Sequence, residues 1–221
     1  MIRLVVFDCD GTLVDSQHLI VETMTGAFRS HRLPPPPADA IRHVVGLSLG
    51  EAVAALAPGL PFDECLEVAE TYRQSFRALR RERPDLIEPM FEGARATLIE
   101  LDRRGHLLGM ATGKSRRGVA AVLGHHGLDG LFASVQTADD HPSKPHPAML
   151  EQAMAETGSR PDETILVGDT TYDVAMAVAA GVRPVGVAWG YHPEDALRHA
   201  GAKDVLGRFD EVLDLVAKEP P

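Results

Sequence analysis

The chain has 221 residues, 44% hydrophobic, 24% charged and 5% aromatic, which excludes a disordered or fibrous polypeptide and allows one core of ordinary size plus a smaller appendage. Its 32 acidic residues outnumber 22 basic ones, giving a formal net charge of -10 that argues against nucleic acid or an anionic membrane as partner. No stretch reaches the roughly 20 apolar residues of a membrane span, and Cys9 and Cys65 form neither a disulfide framework nor a metal cluster, so a reducing, cytoplasmic setting is expected.

Residues 2–7 form a β-branched and aromatic run bounded by Asp8-Cys9-Asp10-Gly11, the pattern of a strand buried on both faces. From 17 to 88 helical patterns follow one another without a strand, at 17–30, 38–45, 49–56 and 62–83. The four prolines at 34–37 stop the first of these helices. Beyond that interval, strands at 107–111, 134–137, 164–167 and 184–188 alternate with helices at 92–104, 115–126, 146–157 and 170–180, and a closing helix spans 209–217. Such alternation implies right-handed crossovers and an α/β fold, a Rossmann-like parallel sheet with helices on both faces. Residues 1–16 and 89–221 then make the core, and 17–88 an inserted all-helical domain with hinges near 14–16 and 91–93. Pro220-Pro221 is expected to be frayed.

Ligands of parallel sheets bind at the carboxyl ends of the strands, and four segments there carry chemistry. Asp8 and Asp10, two positions apart, leave the first strand on the same side and face one pocket, with Cys9 turned into the core. A turn that favours Asp and Gly explains them as backbone chemistry; a divalent ion such as Mg²⁺ explains why two like charges sit so close. Thr112-Gly113 ends the second strand, where a hydroxyl and free N–H groups hold a phosphoryl oxygen or cap a helix. Lys144 stands in a loop beside Pro145, suited to carry an ammonium to a phosphate or to be a solvated charge. Asp169 and Asp173, four apart at a helix start, converge on one ion or act as helix-capping acids.

The ordered set DxDGTLxDS, strand-Thr, Lys and GDxxxD resembles the haloacid dehalogenase (HAD) superfamily over essentially the whole chain, and Trp189-Gly190-Tyr191-His192 points to its phosphoglycolate-phosphatase-like branch. The resemblance implies an enzyme, a Mg²⁺-dependent phosphatase acting on a small phosphomonoester such as phosphoglycolate or a sugar phosphate. In it Asp8 is the nucleophile that becomes an aspartyl-phosphate, and Asp10 is the general acid and base. Thr112, Gly113 and Lys144 hold the phosphoryl oxygens; Mg²⁺ is held by Asp8, the Asp10 backbone carbonyl and Asp169, with Asp173 as a ligand or as support. The inserted helices resemble the family's cap, in which residues around Arg42, His43, Gly46 and Leu47 touch the leaving group if the Val45–Ser48 turn points at the core, or that segment is a helix–helix turn with Gly46 as C-cap. Arg77, Arg80, Arg81 and Arg83 read first as a solvated helix end. A phosphosugar mutase or pyrophosphatase on the same scaffold, and a phosphate-responsive signalling module, are the alternatives. The sequence leaves the oligomeric state open.

Overall fold

The computed structural model describes residues 2–83 and 86–217; the end expected to fray at Pro220-Pro221 lies outside them. Chain order is β1 (Leu4–Phe7), α1 (Gln17–Ser30), α2 (Ala38–His43), α3 (Leu49–Leu56), α4 (Phe62–Glu82), α5 (Ala94–Arg103), β2 (Leu107–Thr112) and α6 (Arg116–His126). There follow β3 (Ser134–Thr137), α7 (Ala148–Thr157), β4 (Thr164–Gly168), α8 (Thr171–Ala179), β5 (Arg183–Val187), α9 (Glu194–Ala200), β6 (Asp204–Leu206) and α10 (Glu211–Ala217). The strands form one parallel sheet in the order β3-β2-β1-β4-β5-β6, with β1 between β2 and β4.

Alternation along β1 divides the core. Val5 and Phe7 face a cluster with Leu98, Leu101, Val122 and Phe209 from α5, α6 and the α10 approach, while Leu4 and Val6 face Met149, Leu150 and Met176 from α7 and α8. Helices on both faces let every strand residue of β1 be fully buried, which is why the segment reads as an unbroken apolar run. Cys9 continues the Val5–Phe7 side and is a buried free thiol in that cluster, as alternation predicts.

Helices α1 to α4 pack on a separate cluster of Met24, Phe28, Ile41, Val53, Cys65 and Val68. The two connections between them and the sheet run side by side: Asp15 N–H donates to the Pro89 carbonyl at 2.8 Å and Phe91 N–H to the Leu13 carbonyl at 3.0 Å. Neither β6 nor α9 was anticipated. β6 is three residues long and α9 seven, both too short to display a period. The helix expected from 92 begins instead at Ala94, because Gly93 takes a left-handed φ of 80° as its N-cap.

Candidate active site

At the carboxyl end of β1 the Asp8 carboxylate is buried beside those of Asp169 and Asp173, with one oxygen of each within 4.8 Å of the others. Asp169 stands just beyond β4, ahead of Thr170, the N-cap of α8, so the two acids do not share a helical turn as expected; the bend between them brings them together. Each neighbour is held in place. Thr12 Oγ donates to Asp169 Oδ1 at 2.8 Å and Tyr191 N–H to its Oδ2 at 2.9 Å. Asp173 closes a capping box, its Oδ2 accepting from Thr170 N–H at 3.0 Å and from Thr170 Oγ at 2.7 Å. It is therefore both a helix-capping acid and a member of the cluster.

Lys144, in the loop before α7, is fully buried and reaches into this group. Its Nζ donates to Asp173 Oδ1 at 2.6 Å and lies 2.9 Å from Asp8 Oδ1, off the hydrogen-bonding direction. Burial disfavours its charge; the Asp173 and Asp8 carboxylates outweigh that and hold it as an ammonium. Both oxygens of Asp8 remain without a hydrogen-bond donor among the described residues. Burial, opposed by Lys144, pushes the Asp8 carboxyl up to about 7, and burial with the neighbouring acids raises Asp169 well above the ordinary carboxylate range. With three acids against one ammonium, full ionisation would leave excess negative charge in a dry site with orphaned oxygens. An all-oxygen donor set of that charge fits a hard divalent cation such as Mg²⁺.

Asp10 precedes a turn in which Gly11 has φ 84°, where an added Cβ would run into the Asp169 carboxylate. Its Oδ1 accepts from Ser16 Oγ and from Lys114 Nζ, each at 2.6 Å. Lys114 also donates to Glu88 Oε1 at 3.0 Å, and Glu88 pairs with Arg80 of α4. Burial opposes the charge on Lys114, and Asp10 with Glu88 more than restores it. Sequence reasoning missed this bridge between the two packing units, since nothing in the lysine's local pattern distinguishes it from a solvated helix-start residue. Arg80 is consequently not the solvated helix-end charge expected: Glu88 draws it inward, and Arg77 and Arg81 line the same cavity as Asp8 and Asp10.

Thr112 and Gly113 line that cavity. Ser115 caps α6, accepting from Gly118 N–H at 3.2 Å, as its position predicts. A Cβ on Gly113 would stand 2.6 Å from the Leu47 carbonyl and 2.7 Å from that of Gly46, so glycine is what allows the 44–48 loop to approach β2. Two clips hold the loop there: Ser48 N–H donates to Ser143 Oγ at 2.7 Å, and His192 engages the His43 carbonyl. Thr171 N–H occupies His192 Nδ1 at 3.1 Å, which leaves Nε2–H to donate to the His43 carbonyl at 3.0 Å. Of the anticipated leaving-group contacts, Gly46 and Leu47 line the cavity. His43 stacks on His192 with centroids 4.3 Å apart, and Arg42 engages Asp39 and Gln17. Trp189 is an anchor, its Nε1–H donating to the Thr12 carbonyl at 3.1 Å while it packs on Phe209.

A family model described as haloacid dehalogenase-like hydrolase matches residues 5–187. The chain is 37% identical over 214 residues to a probable phosphatase, IndB, of Dickeya dadantii, covering 95% of this chain and 91% of that protein. It is 32% identical over 219 residues to the pyrophosphatase PpaX of Bacillus pumilus, covering 99% and 98%. A predicted phosphoglycolate phosphatase from Haemophilus somnus superposes with a TM-score of 0.81 over 97% of this chain and 98% of its own at 24% identity, a likeness of fold.

Proposed function

Because the chain belongs to the haloacid dehalogenase-like hydrolase family, we propose that it is a Mg²⁺-dependent phosphatase that hydrolyses a phosphomonoester through a phosphorylated Asp8. The observation that carries this reading is the convergence of Asp8, Asp169 and Asp173 with the Lys144 ammonium beside a cavity lined by Asp10 and Thr112. The ion would be held by the Asp8 carboxylate, the Asp10 backbone carbonyl and Asp169, with Asp173 tethering Lys144 beside them. When bound, it supplies charge neutralisation for the phosphoryl oxygens and the clustered acids.

An Asp8 oxygen attacks phosphorus in line, and the bond to the leaving oxygen breaks as Asp10 gives that oxygen a proton. Asp10, then a carboxylate, takes a proton from water, whose oxygen attacks the aspartyl-phosphate phosphorus to release inorganic phosphate and regenerate Asp8. Lys144, the Thr112 hydroxyl and the Gly113 N–H hold phosphoryl oxygens through both steps. Lys114 and Ser16 hold Asp10 by one oxygen, Oδ1, which directs Oδ2 to the proton transfers. Residues 17–88 act as a cap hinged at 14–16 and 91–93; its seating through Ser48 and His43 excludes bulk water from the acyl phosphate. The buried free thiols Cys9 and Cys65 support a reducing, cytoplasmic setting, and among the described residues no helix is long and apolar enough to cross a membrane.

A panel of phosphomonoesters with and without Mg²⁺ tests the reading; phosphate release that requires both Mg²⁺ and Asp8 is expected. The likeness to a pyrophosphatase makes pyrophosphate the second substrate to include. Isomerisation of a sugar phosphate without net phosphate release would move the assignment to a mutase.

A further inference from the structure

The cavity in front of Asp8 is larger and more apolar than phosphate chemistry requires. It holds about 540 Å³, inside the range of roughly 300–1,000 Å³ that encloses an organic ligand bearing a ring or a chain. The cavity is part-open to solvent, with the 44–48 loop resting on the core beside it through Ser48–Ser143 and His43–His192. Phosphoglycolate, with two carbons, would leave most of it empty.

The walls divide by chemistry. Asp8, Asp10, Thr112 and Lys114 make the reacting end, and Met24, Val45, Leu49, Phe62, Leu66 and Phe76 make the apolar surface. Two of the latter stand out energetically: Phe62 is 50% and Leu66 42% exposed although both line the cavity. They lie one turn apart at the start of α4, so the same helix face presents both. Large apolar side chains left in water at the wall of a reaction chamber gain free energy only when something apolar covers them. Arg73, Arg77, Arg81 and Arg117 also line the cavity, a local positive field that draws a phosphate ester in against the chain's net charge of -10.

We propose that the leaving group carries an apolar moiety, a ring or branched chain, that packs against Phe62 and Leu66. This rests on the phosphatase reading and narrows it: binding energy taken up at the recess, remote from phosphorus, positions the ester for attack by Asp8. The discriminating residues then belong to the first turns of α4 rather than to Arg42 and His43.

The test uses ethyl phosphate and 3-phenylpropyl phosphate, whose alkoxide leaving groups are closely matched in intrinsic reactivity, with phosphoglycolate as a small anionic comparison, all with Mg²⁺ and the full chain. We expect kcat/KM for the phenylpropyl ester to exceed that for ethyl phosphate by about 100-fold, mostly through KM. In Phe62→Asn and, separately, Leu66→Asn, that ratio should fall about tenfold. Equal kcat/KM across the series, or a ratio unmoved in both variants, overturns this inference and leaves the phosphatase reading standing. Turnover of no ester overturns both. A concentration-dependent doubling of mass that Phe62→Asn abolishes would assign the recess to a second copy of the chain and overturn the inference as well.

Discussion

Asp8 is buried beside two further acids, its charge met among the described residues by a single ammonium, Lys144, that Asp173 shares, an arrangement that costs stability unless a cation joins it. Asp8→Asn should therefore do two opposite things: lower turnover by at least about 10³-fold, and raise the melting temperature of the metal-free protein by a few degrees. Parallel kinetics and thermal melts check this; a variant that melts lower than the parent would show that the cluster is not strained. Lys114→Met frees Asp10 Oδ1 from one of its two donors, and should lower kcat by about 10- to 100-fold while changing KM far less. Asp8, Asp10, Thr112, Asp169 and Asp173 drew notice in the sequence because each sits in or beside a strand-end pattern, whereas Lys144, in a polar loop after β3, stood out only through the family resemblance. Lys114 drew none, because its partner Asp10 is 104 residues away and the pairing exists only once β1 and β2 lie side by side.

The same distinction governs the elements. β1, β2 and β4, all inner strands, announce themselves as apolar runs because sheet burial on both faces leaves no polar alternation, whereas β6 contributes three residues, Asp204–Leu206, and leaves no such trace. The basic end of α4 shows where a helix-level rule is overruled: the favourable dipole position for Arg80 is real, yet the buried Glu88 carboxylate turns it toward the active site. The seating of the 44–48 loop against β2 depends on Gly113 having no side chain. Gly113→Ala puts a Cβ against the Gly46 and Leu47 carbonyls, so kcat should fall about tenfold or more while the core's melting temperature shifts by less than about 3 °C. Stopped-flow turnover beside a thermal melt separates loss of loop seating from loss of folding.

A sheet packed on both faces and a separate helical cluster are joined by adjacent connections at 14–16 and 89–91, and the cavity bordered by Asp8 and Asp10 is lined from both. Mg²⁺ in hundredfold excess over its Kd should raise the melting temperature by about 5–10 °C, and Asp169→Asn should abolish most of that shift. Whether Asp8 itself accepts the phosphoryl group decides the account. Acid quenching during steady turnover, followed by borohydride reduction, converts an aspartyl-phosphate into homoserine that peptide mass spectrometry can locate. Homoserine at position 8, dependent on substrate and absent from Asp8→Asn, is the predicted result; sustained phosphate release with homoserine at another position, or at none, would contradict it.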